Sequence, residues 1–105
     1  MSEQIEQQAH VLSVVLEPEH MVLNIHADRD GLALLRTLLD RLISDLDRGK
    51  CPHEHLMSPD WGCWDLSTRM LASEKQEGFR VVHQINIFGW DAEWIRKHGL
   101  SSNAL

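Results

Sequence analysis

The chain has 105 residues, of which 43% are hydrophobic and 25% are charged, so we expect a single domain over residues 1–105 with one core. Sixteen acidic against ten basic residues give a net charge of −6, which argues against sequence-independent binding of nucleic acid. The sequence contains no run of the ~18 apolar residues that a membrane span needs, and its polar first ten residues do not resemble an export signal. We therefore expect a cytoplasmic protein in which Cys51 and Cys63 are free thiols.

The first part of the chain predicts a β-hairpin. Residues 11–16 and 21–27 are rich in β-branched and apolar side chains, and Pro18 lies in the polar turn between them. Strict alternation along the second strand would place three apolar residues on the core face: Met21, Leu23 and Ile25.

Residues 29–48 predict one long amphipathic helix. Apolar residues recur there at steps of three and four, Asp28 or Asp30 is suited to the N-cap, and Gly49 is suited to the position after the C-terminus. Two ion pairs at i,i+4 spacing are expected on its solvated face: Arg36 with Asp40, and Arg41 with Asp45.

The second half of the chain predicts shorter elements. Residues 53–57 and 79–88 are typical of strands, residues 73–78 of a polar turn and residues 91–99 of a short helix, whereas residues 64–72 fit either a strand or a loop. The resulting order, β-β-α-β-(β)-β-α, indicates an α+β fold. We expect a mostly antiparallel sheet of about four to five strands that is packed by the long helix.

Three histidines are the candidates for a metal site. His53 and His55 form an H-x-H pair whose rings share one face of a strand, and His83 on a neighbouring strand could add a third ligand, as in catalytic zinc sites. The same residues equally fit a solvated strand face or a buried polar network. A small metal-dependent enzyme is therefore the alternative interpretation, and we expect no cofactor.

The turn between Trp61 and Trp64 is the more informative feature. Both tryptophans lie outside the apolar stripes, Asp60 and Asp65 flank them, and Glu54 lies upstream. Aromatic anchors ringed by carboxylates are suited to docking on a basic protein surface, because tryptophan is common at interface hot spots. These rings could also close the ends of a small core.

The segment HEHLMSPDWG at residues 53–62, the WDLS of residues 64–67, and VVHQINI at residues 81–87 closing at Trp90 carry a family resemblance. Together they resemble small bacterial immunity proteins of polymorphic toxin systems, over residues 53–90. The pattern in those proteins is an H-x-H-L-M strand that leads into S/T-P-x-W-G-G. This chain departs from it at Cys63, which replaces the second glycine, and in the order of His and Asn within residues 83–86.

The resemblance implies a non-enzymatic inhibitor that neutralises a cognate bacterial toxin by direct contact. Seven residues are the expected partner-binding site: Asp60, Trp61, Trp64, Asp65, Glu54, His53 and His55. A self-associating structural protein is a further alternative, because a short sheet leaves an open edge through which a homodimer could form. No membrane partner is expected.

Overall fold

The computed structural model describes residues 9–99, and the fraying expected at residues 101–105 lies outside them. In chain order its elements are β1 (Leu12–Glu17), β2 (Val22–Ala27), α1 (Arg29–Asp47), β3 (His53–Met57), a 3-10 turn (Pro59–Trp61), α2 (Ala72–Gln76), β4 (Arg80–Val81), β5 (Gln84–Phe88) and α3 (Ala92–Lys97). Antiparallel strands with separate helices confirm the predicted α+β class.

The strands divide between two antiparallel sheets, one with the order β2-β1-β4 and one with the order β3-β5. The chain passes from one sheet to the other at Val82 and His83. There the Val82 N–H donates to the Val14 carbonyl (2.8 Å), and the His83 carbonyl accepts from the Ser58 N–H (2.9 Å). This bend breaks the single strand predicted over residues 79–88, and it places Val82 rather than Val81 against the core.

The long helix forms as the sequence predicts, and its ends explain why. The Asp28 carboxylate accepts the backbone N–H groups of Gly31 (2.8 Å) and Val11 (3.0 Å). These donors, Val11 first, hold the pKa of Asp28 below its ordinary value. At the other end Gly49 adopts a φ of 80°, which lets the Lys50 N–H close back on the Asp45 carbonyl.

The core lies between α1 and the two sheets. Its buried residues come from β1, α1, β3 and the loop after the 3-10 turn: Leu12, Val14, Leu38, Leu56 and Leu66. Neither predicted i,i+4 pair of α1 forms within residues 9–99. Arg41 instead reaches across to Glu54 of β3 (3.6 Å), and Asp45 pairs with Arg48.

The other face of the first sheet is covered by α2, where the sequence predicted only a turn. Glu74 of α2 is buried, and its carboxylate is hydrogen-bonded to His26 (2.9 Å), Asn24 (3.1 Å) and the Leu71 backbone N–H (2.8 Å). The hydrogen bond from His26, more than the others, lowers the pKa of Glu74 against the opposing effect of burial.

Asn24 and His26 of β2 therefore face α2, whereas Leu23 and Ile25 lie on the sheet face that carries the core residues Leu12 and Val14, as alternation predicts. Leu23 and Ile25 stay 58% and 54% exposed, and Met21 is exposed in the turn, because β2 is an edge strand that α1 covers only in part. Leu23 and Ile25 are thus on the predicted face, but they are not closed into the core.

In residues 64–72, which the sequence assigned to either a strand or a loop, residues 64–71 form a loop that is hydrogen-bonded to both β3 and β1, and Ala72 begins α2. The Leu66 N–H donates to the Met57 carbonyl (3.0 Å), and the Ser67 N–H donates to the Leu12 carbonyl (2.8 Å). Cys51 and Cys63 are free thiols, as expected. No helix within residues 9–99 has the length and apolar character to cross a bilayer.

Candidate protein-binding surface

Ser58 anchors the tryptophan turn that follows β3. Its side chain is fully buried, and its carbonyl accepts the N–H groups of Trp61 (2.9 Å) and Cys63 (3.2 Å). Its hydroxyl lies 2.7 Å from Nδ1 of His83. Gly62 takes a φ of 107°, a left-handed conformation that favours glycine, so the backbone can reverse within this short span. The turn is therefore held by backbone hydrogen bonds within it and by the contact of the Ser58 side chain with His83.

Trp61 is held in place while most of its surface remains in water. Its ring stacks on the His83 ring with centroids 5.5 Å apart and planes 10° from parallel, yet the residue is 57% exposed. A large aromatic ring that is already oriented loses less conformational freedom when a partner covers it. Trp61 therefore has the properties of an interface anchor.

The other predicted residues of this turn differ in what they offer. Trp64 is 44% exposed and Asp60 is exposed, so both can meet a partner. Asp65 is half-buried, and its carboxylate accepts the Met57 N–H (3.3 Å) while its carbonyl is hydrogen-bonded to His10 (2.7 Å). Asp65 thus holds the turn against β3, in addition to any contact it makes outward.

The β3 residues of the predicted site lie on two faces. His53 and His55 are exposed, with ring centroids 4.8 Å apart, and Nδ1 of His55 is hydrogen-bonded to Asn86 of β5. Glu54 points to the opposite face, where it is half-buried and paired with Arg41. The ion pair with α1 gives Glu54 a role within the fold.

The alternation of the β3–β5 ladder separates the tryptophan turn from the histidine pair. Ser58 and His83 continue the register in which Leu56 faces Ile85 and Met57 faces Gln84. They therefore lie on the side opposite His53 and His55. Because Trp61 stacks on His83, its ring lies on that opposite side as well.

The three histidines proposed as metal ligands are not gathered into one cluster. His83 is engaged by Ser58 at Nδ1 and is covered by Trp61. Across the part of the chain that the structure describes, the one group of three potential ligand atoms within 4.8 Å comes from the β1–β2 turn: Glu17, Glu19 and His20. The geometry thus adds nothing to the metal-enzyme alternative.

Sequence reasoning missed an apolar cavity of about 340 Å³ that opens beside β2. Leu23 and Ile25 line it together with Leu35 of α1 and with apolar residues of β1, β3 and β5. The signal for it was present, since residues 21–27 contain no Asp, Glu, Lys or Arg, but alternation assigned those apolar side chains to the closed core.

Comparison with known proteins gives one finding. No curated protein and no solved structure matches this chain. The family model of Immunity protein 32 matches residues 22–79, which are 58 of the 105 residues. The match runs from β2 through α1, β3 and the tryptophan turn to the end of α2, and it overlaps the resemblance predicted for residues 53–90. The chain therefore belongs to the Immunity protein 32 family, whose members are immunity proteins of toxin systems.

Proposed function

We propose that this protein neutralises a cognate bacterial toxin in the cytoplasm by binding it directly, without catalysing a reaction. Family membership supports the toxin-neutralising role. The observation that carries the mode of action is Trp61, an exposed aromatic ring that is stacked on His83 before any partner arrives. A preformed anchor of this kind favours tight contact with a folded target.

The contact surface is centred on Trp61, Trp64 and Asp60. The sequence segment 51–78 carries five acids against two bases. Three of those five acids are already engaged within the fold: Glu54 with Arg41, Asp65 with Met57, and Glu74 with His26. The tryptophans therefore supply most of the affinity, and Asp60 supplies the local charge that meets a Lys or Arg of the toxin.

The histidine pair forms a second part of this surface on the other side of the β3–β5 ladder. His53 and His55 are exposed, and Phe88 beside His53 is 58% exposed. A toxin that wraps the end of β3 would touch both sides. Replacing His53 and His55 by Gln tests this wrapping, since only a wrapped contact would be weakened.

The direct experiment is titration of the purified protein with its cognate toxin domain. Trp61→Ala and Trp64→Ala are each expected to weaken binding by at least tenfold, which corresponds to about 1.4 kcal/mol. Trp94→Ala is the matched control, because Trp94 is 39% exposed but lies on α3, outside the proposed surface. Circular dichroism of each variant checks that the fold is retained.

Two results would count against the proposal at different levels. Unchanged affinity in both tryptophan variants would reject the surface while leaving the function. Wild-type protein that neither binds the toxin domain nor protects cells expressing it would reject the function itself.

A further inference from the structure

The outer edge of β2 carries backbone hydrogen-bonding groups that no described element uses. The Asp28 N–H donates to the Val11 carbonyl (3.1 Å), which continues the β1–β2 register. Because hydrogen-bonded pairs alternate along an antiparallel ladder, Val22, Asn24 and His26 direct their backbone groups toward β1. Leu23, Ile25 and Ala27 direct theirs outward, and no strand within residues 9–99 pairs with them.

The side chains along this edge are unusually apolar for an open strand. Leu23 and Ile25 are exposed and line the 340 Å³ cavity, and Met21 is exposed in the adjoining turn. No residue from Met21 to Ala27 is Asp, Glu, Lys or Arg, and none is proline. Proteins commonly protect an open edge strand with charged residues or proline. Because β2 lacks both, its edge has the composition of an interface.

We propose that β2 pairs antiparallel with β2 of a second copy of this chain, about a twofold axis that passes through Asn24. In this register Leu23 lies opposite Ile25 of the copy, and Val22 lies opposite His26. Leu23 and Ile25 direct their backbone groups outward, as a hydrogen-bonded pair requires. The pairing spans residues 22–26, because Met21 has a left-handed φ of 58° and lies in the turn.

A second copy fits this edge because the strand is complementary to itself. The chain has a net charge of −6, yet the paired residues 22–26 include no Asp, Glu, Lys or Arg. Leu23 and Ile25 of both copies stand on one face, so the apolar wall of each cavity continues into its neighbour. A stable interface buries about 800 Å² on each partner, which is about a tenth of the 7775 Å² accessible surface of this chain. The interface must therefore include the apolar wall of the cavity as well as the strand.

Light scattering on the full chain, without any toxin, tests the proposal. The wild type is expected at twice the mass of 12.1 kDa. Ile25→Lys is expected to give a monomer, because it places two lysines beside the twofold axis. Ile43→Lys is the matched control, since Ile43 is 56% exposed against 54% for Ile25 but lies on the later part of α1, and this variant stays dimeric.

Cross-linking tests the register. In a chain whose two native cysteines are replaced by serine, Asn24→Cys is expected to form a disulfide with its copy, because opposed residues of a non-hydrogen-bonded pair have Cα atoms about 4.5 Å apart. Val22→Cys is the control, since its copy would lie four residues away along the ladder, at about 13 Å. A disulfide at Val22 but not at Asn24 would overturn the register.

A monomeric wild type overturns the proposal, and so does a dimer that Ile25→Lys leaves intact. If the edge instead receives a toxin strand, the protein alone is monomeric and Ile25→Lys weakens toxin binding. Because the dimer is measured without toxin, its failure is separate from a failure of the proposed function.

Discussion

Gly31 is the position where helix propensity and the structure predict opposite effects of one methyl group. Gly31 lies in the first turn of α1, and a glycine in a helix costs about 1 kcal/mol relative to alanine. On propensity alone, Gly31→Ala would stabilise the protein. In the structure, however, a Cβ at this position would lie 1.8 Å from the Val11 carbonyl oxygen, which itself accepts the Asp28 N–H.

The magnitude follows from the displacement that the methyl group requires. A Cβ contact under 3.0 Å essentially does not occur, so the start of α1 and residue 11 must separate by at least 1.2 Å. That shift stretches the 3.1 Å hydrogen bond between Asp28 and Val11 beyond bonding distance, at about 1 kcal/mol. Crowding adds about 1–3 kcal/mol. After the gain in helix propensity, the expected net loss is about 1–3 kcal/mol.

Thermal and urea unfolding followed by circular dichroism measure this loss. At about 4–8 °C per kcal/mol, Gly31→Ala should lower the melting temperature by roughly 10 °C. Ser44→Ala is the matched control, because Ser44 is exposed on the same helix and its replacement gains propensity without a contact. A Gly31→Ala protein as stable as the Ser44→Ala protein would refute the close approach of α1 to β1.

Two further predictions concern buried or stacked polar groups. Because the pKa of Glu74 is lowered on folding, its stabilisation is complete above the ordinary value of 4.5 and is lost as the pH falls through the folded value. In acid titrations Glu74→Gln should therefore lose less stability below pH 4.5 than the wild type does, and equal slopes would contradict this. His83→Ala removes the ring beneath Trp61, and it should weaken toxin binding about two- to tenfold by calorimetry although Trp61 is intact; unchanged affinity would mean that the stacking does not prepare the anchor.

Local sequence signals were sufficient for the elements whose reasons are local. The helix α1 could be placed because its apolar period, the Asp28 cap and Gly49 all act within a few residues. The same holds for the predicted helix α3, which begins where the Asp91 carboxylate accepts the Trp94 N–H (2.8 Å). The α+β class then followed from the order of elements.

The cover over the polar face of β2 could not be predicted because it comes from a residue far along the chain. Glu74 lies 48 residues after His26, and its burial on α2 covers the face on which Asn24 and His26 lie. Period-two alternation shows which residues share a face, but it does not show which face the rest of the chain will cover. The short α2, read as a polar turn, was the missing information.

The sequence predicted which residue types the candidate site offers, but not which of its acidic residues are engaged within the fold. The spacing of Trp61 and Trp64 around a glycine indicated an exposed turn, and both residues are exposed. Glu54 forms an ion pair with Arg41, and the Asp65 carboxylate accepts the Met57 N–H. These tertiary contacts cannot be inferred from residue spacing. Composition therefore overstated the negative charge available to a partner.

The same residue that connects the two sheets also supports the proposed anchor. His83 lies at the bend between β4 and β5, its carbonyl accepts from Ser58, and its ring carries Trp61. A change at Ser58 or His83 must therefore affect the junction of the sheets and the orientation of Trp61 together. A change at Trp61 itself removes an exposed ring and leaves the junction in place. If the anchor is rigidly presented, a substitution of Trp61 weakens toxin binding and leaves stability unchanged, whereas a substitution of His83 lowers both. A tryptophan that merely lies on the surface would not show this pattern.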